Sequence, residues 1–301
     1  MGLIDFILTL ASLLLWVNWR TVPLDPLNNA TPATLVGTLR RAEPARWRRW
    51  HFLVALLALL GLRAEFYHLL GPALNWTATL NVFTTRLAFR CDVRELMLLY
   101  SVLSFGLALG ELLLGFLLLT LLGRGQESAW AVRMARQQLG FIGDLPAHVK
   151  LVLPFISGAA LWWLFSWLFS RWGLIAVPRT EAIRLAQAGL FGLGCYLPWK
   201  YLMLLLLGVH LLHNHIYFGP QPIWGFTDYV ARQLLRPLRP LRLRRGKMDF
   251  APLIGMVMVV SFAHVLEHGV KSPTKRDANG RAEHPRYEIP GIAGVYERIS
   301  R

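Results

Sequence analysis

Between Leu96 and Leu122 the chain carries a single ionisable side chain, Glu111, in a run otherwise dominated by leucine. Crossing the hydrocarbon core of a bilayer as an α-helix takes roughly 17–25 predominantly apolar residues. Inside that core the backbone must satisfy its own hydrogen bonds, so an apolar run of this length has few folds open to it other than a spanning helix. Comparable blocks predict six spans, at about 3–18, 50–70, 95–122, 150–171, 186–214 and 250–269. The expected fold is therefore all-α: a polytopic membrane protein of about six transmembrane helices joined by amphipathic basic interfacial segments. Only 16% of the residues are charged, where a soluble domain carries about a quarter. The first block, Leu3 to Val17, lacks a basic leader and ends in Asn18-Trp19-Arg20 rather than a small-x-small cleavage site, so it is expected to be an uncleaved helix.

The formal net charge of +15 sits mainly between the spans. Arg20, Arg40, Arg41, Arg46, Arg48 and Arg49 fall in the first connection, and Arg232, Arg236, Arg239, Arg242, Arg244, Arg245 and Lys247 in the fifth. Arg124, Arg133, Arg136 and Lys150 fall in the third, while the alternate connections carry fewer cations. The positive-inside rule then places the odd-numbered loops in the cytoplasm and both termini outside, with the basic tail after Lys271 counting against that orientation. The expected setting is a bacterial inner membrane. The expected partners are the lipid bilayer, anionic headgroups at the basic loops, and other membrane proteins. Nucleic acid is not among them, because no soluble recognition module is visible. Two cysteines, Cys91 and Cys195, are too few for a disulfide framework. Residues 73–90 are expected to form an outer loop or surface helix, residues 126–139 an amphipathic connecting helix, and the tail from Ser272 an exposed, loosely ordered segment. Among Trp162, Trp163, Trp167 and Trp172, the last suits an interfacial anchor, and the others are expected to face lipid or a neighbouring helix.

The first and last pairs of spans share a plan: apolar helix, proline-containing loop, basic amphipathic stretch, apolar helix. The stretch is Leu35 to Pro44 in the first pair and Tyr229 to Pro240 in the last. In the second copy Val230, Leu234 and Leu238 share one side, expected to face acyl chains while the arginines meet phosphates. Asp249 is expected to cap the last span and Pro252 to sit in its first turn. The chain accordingly divides into a first two-helix repeat at 1–70, a middle pair at 71–182, a second repeat at 183–270 and a polar tail at 271–301.

The run Leu235-Arg236-Pro237-Leu238-Arg239-Pro240-Leu241-Arg242, followed by Asp249-Phe250-Ala251-Pro252, resembles the YggT family of small membrane proteins. That family carries a Pro-Leu-Arg-Pro-x-Arg run, a short linker and Asp-Leu-Ser-Pro between two helices. Phe250 and Ala251 stand where the family has Leu and Ser. The resemblance covers about 200–270 well and 1–70 poorly, since the first copy lacks the Asp-x-x-Pro. It implies an integral membrane protein concerned with organising the envelope or thylakoid, with osmotic or ion-related roles also suggested. It implies no catalytic residues and no cofactor. The residues that carry it are Arg236, Pro237, Arg239, Pro240, Asp249 and Pro252.

Glu111 and Lys200 are the intramembrane ionisable residues that stand out. A carboxylate near mid-bilayer costs about 2.5 kcal/mol or more and seeks a partner inside the bundle. If the fifth span is continuous over 186–214, Lys200 lies at the depth of Glu111 and the two are expected to pair. Otherwise Lys200 snorkels to the interface, and a protonated Glu111 bonds a serine or a carbonyl. His264-Val265-Leu266-Glu267-His268 matches the His-x-x-Glu-His zinc pattern but has no third ligand in view. His210, His213 and His215 offer imidazoles for metal or haem without a matching helix. The leading expectation is a non-enzymatic YggT-like protein organising or assembling envelope membrane components. The alternatives are a transport or channel component using Glu111 and Lys200, and a structural subunit of a larger membrane complex.

Overall fold

The computed structural model describes residues 2–21, 49–74, 76–83, 85–125, 129–175, 178–214, 216, 219, 222–241, 244–245, 248–271 and 288–300. The first basic stretch at 35–44 lies outside these residues, as do Arg46, Arg48, Arg242, Lys247, His215 and the first part of the tail, 272–287.

The helices are α1 (Gly2–Thr21), α2 (Arg49–Ala73), α3 (Arg94–Leu122), α4 (Trp130–Leu139), α5 (Ala147–Arg171), α6 (Glu181–Gly194), α7 (Trp199–His213), α8 (Pro222–Leu234), α9 (Ala251–His268) and α10 (Ile292–Ser300). Two 3-10 turns, Gly140–Asp144 and Arg236–Leu241, follow α4 and α8. Strands occur as three two-stranded pairs: β1 (Ala78–Val82) with β2 (Thr85–Phe89), β3 (Arg244–Arg245) with β4 (Met248–Asp249), and β5 (Gly269–Lys271) with β6 (Glu288–Pro290). Six helical stretches among the described residues are long and apolar enough to cross a bilayer, at Gly2–Arg20, Trp50–Ala73, Arg94–Leu122, Ala147–Arg171, Glu181–His213 and Ala251–His268. Large apolar side chains such as Leu57, Leu98, Leu164, Val257 and Phe262 are exposed along them, a surface stable in lipid and unfavourable in water. The chain is an all-α polytopic membrane protein.

The structure corrects four expectations. Residues 73–90 are not a loop or helix but a hairpin, in which Ala78, Leu80 and Val82 alternate with exposed residues. The fifth span is not one helix: α6 ends at Gly194, and a turn through Cys195–Pro198 restarts the chain as α7. The cap position of the last span is held by Phe250, which supplies no side-chain cap, and Asp249 stands one residue earlier, in β4 opposite Arg244. Residues 288–300 of the tail are ordered, because β6 pairs with β5 directly after α9 and α10 packs on α6 and α9.

The chain forms two compact units, residues 1–80 with 88–110 and residues 81–87 with 111–301, the division falling within α3. In the first unit α1 packs on α2, and Leu56, Leu60 and Phe105 close over Leu13 and Trp16. In the second, α5 packs along α6 and α7 along α9, with α8 laid against α7 and α4. The α5–α6 contact is set by glycine. A Cβ on Gly192 would lie 2.6 Å from the Phe155 carbonyl oxygen, and one on Gly158 would overlap the Cys195 sulfur. Small residues that let backbones approach are the usual basis of helix packing in lipid. Gly192→Leu is expected to destabilise the detergent-solubilised protein by about 1–3 kcal/mol in denaturant unfolding. Gly189→Leu, whose Cβ meets nothing within 4 Å, is expected to be close to neutral.

Candidate functional site

In the first unit, Arg63 lies within the α2 crossing with its side chain fully buried. Its Nη2 donates to Asp5 Oδ1 of α1 at 2.5 Å and to Ser104 Oγ of α3 at 2.8 Å. The same Asp5 oxygen accepts from the Tyr67 hydroxyl at 2.8 Å. The rings of Tyr67 and Tyr100 stand 5.8 and 5.7 Å from the guanidinium carbon. One cation, one anion and two aromatic faces thus tie three helices together, in a place where a lone charge would be very costly. Nε and Nη1 of Arg63 are buried without a hydrogen-bond partner. Hydropathy does not reveal this cluster, because one or two charges in a span barely lower its average. The legible signal was that Asp5 and Arg63 each interrupt an apolar block.

The second unit holds two further polar clusters. Lys200 Nζ meets Glu267 Oε2 at 2.7 Å, joining the start of α7 to the end of α9, and the ammonium also lies 5.1 Å from the Tyr201 ring centre. The expected Glu111–Lys200 pair is therefore not formed. The break at Cys195–Pro198 starts a new helix that presents Lys200 to α9, and Glu111 is exposed on α3 with no hydrogen bond or ion pair to a described residue. The same contact engages Glu267 with Lys200, away from His264 and His268. His264 and His268 stack on each other at 4.6 Å on the exposed side of α9. Among the described residues no three His, Cys, Asp or Glu side chains are placed to hold a metal ion.

The second cluster joins α7 to α8. Asp228 Oδ1 lies 2.8 Å from His210 Nδ1, and both its oxygens lie 3.2 Å from His213 Nδ1. Trp224 stacks on the His213 ring. These two histidines spend their Nδ1 atoms on one carboxylate, which fixes α8 against α7. Burial works against charge on Asp228, but the hydrogen bonds from His210 and His213 outweigh it and hold the carboxyl below its usual range.

The residues of the Arg-Pro run are placed by sterics. Pro237 and Pro240 cannot continue an α-helix, so α8 ends at Leu234 and the run becomes a 3-10 turn. Arg236 and Pro237 are exposed, while the backbones of Arg239 and Pro240 continue the turn. The side carrying Val230, Leu234 and Leu238 is not turned to acyl chains: Val230 is buried with Val132, Leu206 and Phe226, Leu238 is buried with Leu207, Ala231 and Leu235, and Leu234 packs against both groups; Gly255 of α9 leaves room for Leu235 and Leu238. Pro252 is buried in the first turn of α9. Trp162 is buried, stacked on Phe191 and edge-on to Tyr296, whereas Trp163, Trp167 and Trp172 are exposed.

Comparison of the chain with protein-family models, with curated proteins and with solved structures finds no match.

Asp5→Ala leaves Arg63 buried without its carboxylate and is expected to cost about 3–5 kcal/mol. The double variant Asp5→Leu/Arg63→Met is expected to lose less, as read by thermal unfolding in detergent. A depressed carboxyl stabilises the fold fully above its unfolded pKa of about 3.9, and the contribution disappears as pH falls through the lower folded value. Protection of the α8 amides, taken relative to the intrinsic exchange rate at each pH, is therefore expected to fall below about pH 4 in the parent protein and to be low at neutral pH in Asp228→Ala.

Proposed function

We propose that this chain is a non-enzymatic, YggT-like integral membrane protein that organises or assembles other components of the envelope membrane. It is seated in a bacterial inner membrane with its basic loops on the cytoplasmic side. The observation that carries this reading is the use made of intramembrane charge. Asp5 and Arg63 tie α1 to α2, and Lys200 and Glu267 tie α7 to α9. Charges committed to holding helices together serve a fixed bundle better than a relay, which needs groups that exchange partners. The run from Leu235 to Arg242 supports the family: Leu235 and Leu238 anchor the turn to α7 and α9 while Arg236 remains exposed to headgroups or partners.

Glu111 favours a role as a subunit within a larger assembly. A carboxylate left facing lipid costs about 2.5 kcal/mol or more, and a partner helix lying on α3 relieves that cost. Extraction of the tagged protein from native membranes in mild detergent is expected to recover a membrane-protein partner in stoichiometric amount, with recovery falling several-fold for Glu111→Leu. Isolation of the chain alone, together with ion flux in proteoliposomes that Lys200→Met abolishes, would establish the transport alternative instead.

A further inference from the structure

Near its C-terminal end α9 carries His264 and His268, four residues apart and both exposed. That spacing puts two side chains on one face of a helix. Their ring centres stand 4.6 Å apart, with the planes 25° from parallel. Among the described residues neither ring has a hydrogen bond or an ion pair. The backbone beneath them is fixed from two sides. Glu267, one residue before His268, is held by Lys200 at 2.7 Å, and the chain leaves α9 directly into β5, which pairs with β6. A Cβ on Gly291 would lie 2.4 Å from the Glu267 carbonyl oxygen, so the chain after β6 closes on the last turn of the helix. The Glu267 carboxylate also offsets the Lys200 ammonium, which would otherwise repel a second cation here. The C-terminal end of a helix carries partial negative charge, which favours a cation further.

We propose that His264 and His268 form a two-histidine chelate for a late first-row divalent cation: copper(II), nickel(II) or zinc(II), the ions that imidazole suits. An ion bound to one nitrogen of each ring at about 2.0–2.1 Å, with roughly 90–110° between the two bonds, holds the ring centres about 4.5–5.2 Å apart. The observed separation falls in that range. Turning the rings about χ2 aims one nitrogen of each at a common point, and no hydrogen bond within the described fold opposes the turn. The exposed position leaves the rest of the coordination sphere to water. Hard cations such as magnesium and calcium prefer oxygen ligands and do not compete. The site needs neither Glu267 nor a third protein ligand, and it is independent of whether the chain assembles partners.

The test uses the purified full-length chain in detergent, carrying an affinity tag without histidine. It is titrated with copper(II), nickel(II), zinc(II) or magnesium(II) and read by calorimetry, with electron paramagnetic resonance to count the nitrogens on copper. Saturable binding of one ion per chain is expected, tightest for copper(II), with two nitrogen ligands and no binding of magnesium. His264→Gln and His268→Gln are each expected to weaken it about tenfold or more, and the double variant little further, because either loss ends chelation. Both positions are exposed, so the metal-free variants are expected to keep the thermal midpoint of the parent. His148→Gln, which removes an exposed histidine of α5, is expected to have no effect. Absence of saturable copper(II) binding, unchanged binding in either α9 variant, small losses that add in the double variant, or a single nitrogen on copper would overturn the proposal.

Discussion

A charge inside a bilayer has to find its opposite within the protein or escape to the interface, and this constraint arranges the helices. Arg63 cannot snorkel from its place in α2, where its side chain is wholly enclosed. Asp5 near the start of α1 and Ser104 on α3 are held where they meet it. Apolar side chains in lipid gain little by meeting each other rather than acyl chains, so polar contacts and close packing decide which helices associate. The Lys200–Glu267 contact does the same for α7 and α9. Between α5 and α6 glycine takes over the task, through the close approach at Gly158 and Gly192.

The architecture was legible where its signal is an average. Six apolar blocks gave six crossings with bounds within a few residues, because mean hydropathy over a span depends little on detail. Features decided by one residue or by a different period were hidden. The hairpin at 78–89 alternates with period two, which a window sized for a membrane helix smooths away. The division of the fifth span depends on the Cys195–Pro198 turn, which leaves the average nearly unchanged. The ordered end of the tail follows a charged segment that dominates its composition, although Ile292, Val295, Tyr296 and Ile299 recur at helical spacing and Tyr296 is buried beside Trp162.

Charge pairing was the least legible feature, because it depends on helix rotation as well as depth. Glu111 and Lys200 were matched on depth alone, assuming one continuous helix through 186–214. Once α7 starts afresh at Trp199, Lys200 is directed by that helix's own rotation and reaches Glu267, a residue whose neighbours His264 and His268 had pointed toward zinc. The histidine pattern at 210 and 213 was visible, but its partner Asp228 lies on α8, beyond a connection that sequence spacing does not bridge. Local patterns picked out Lys200, Glu267 and the histidines, and left the contacts they make to the fold.

The Arg-Pro run shows how proline sets the path of the chain after α8. Its prolines end α8 and forbid further helix, so the chain turns tightly instead of carrying Leu235 and Leu238 out along the bilayer. Those leucines then fill the space that Gly255 leaves on α9, while Arg236 stays exposed. Arg236 is thereby carried on a 3-10 turn whose neighbouring leucines are packed into the helices beside it, so its backbone has little freedom left to lose. The segment beside Lys150 follows a similar plan, with a 3-10 turn after α4 and a glycine setting backbone close to cationic side chains. In both places backbone geometry, fixed by proline or glycine, decides where a cation stands: Arg236 at the proline turn and Lys150 beside Gly143.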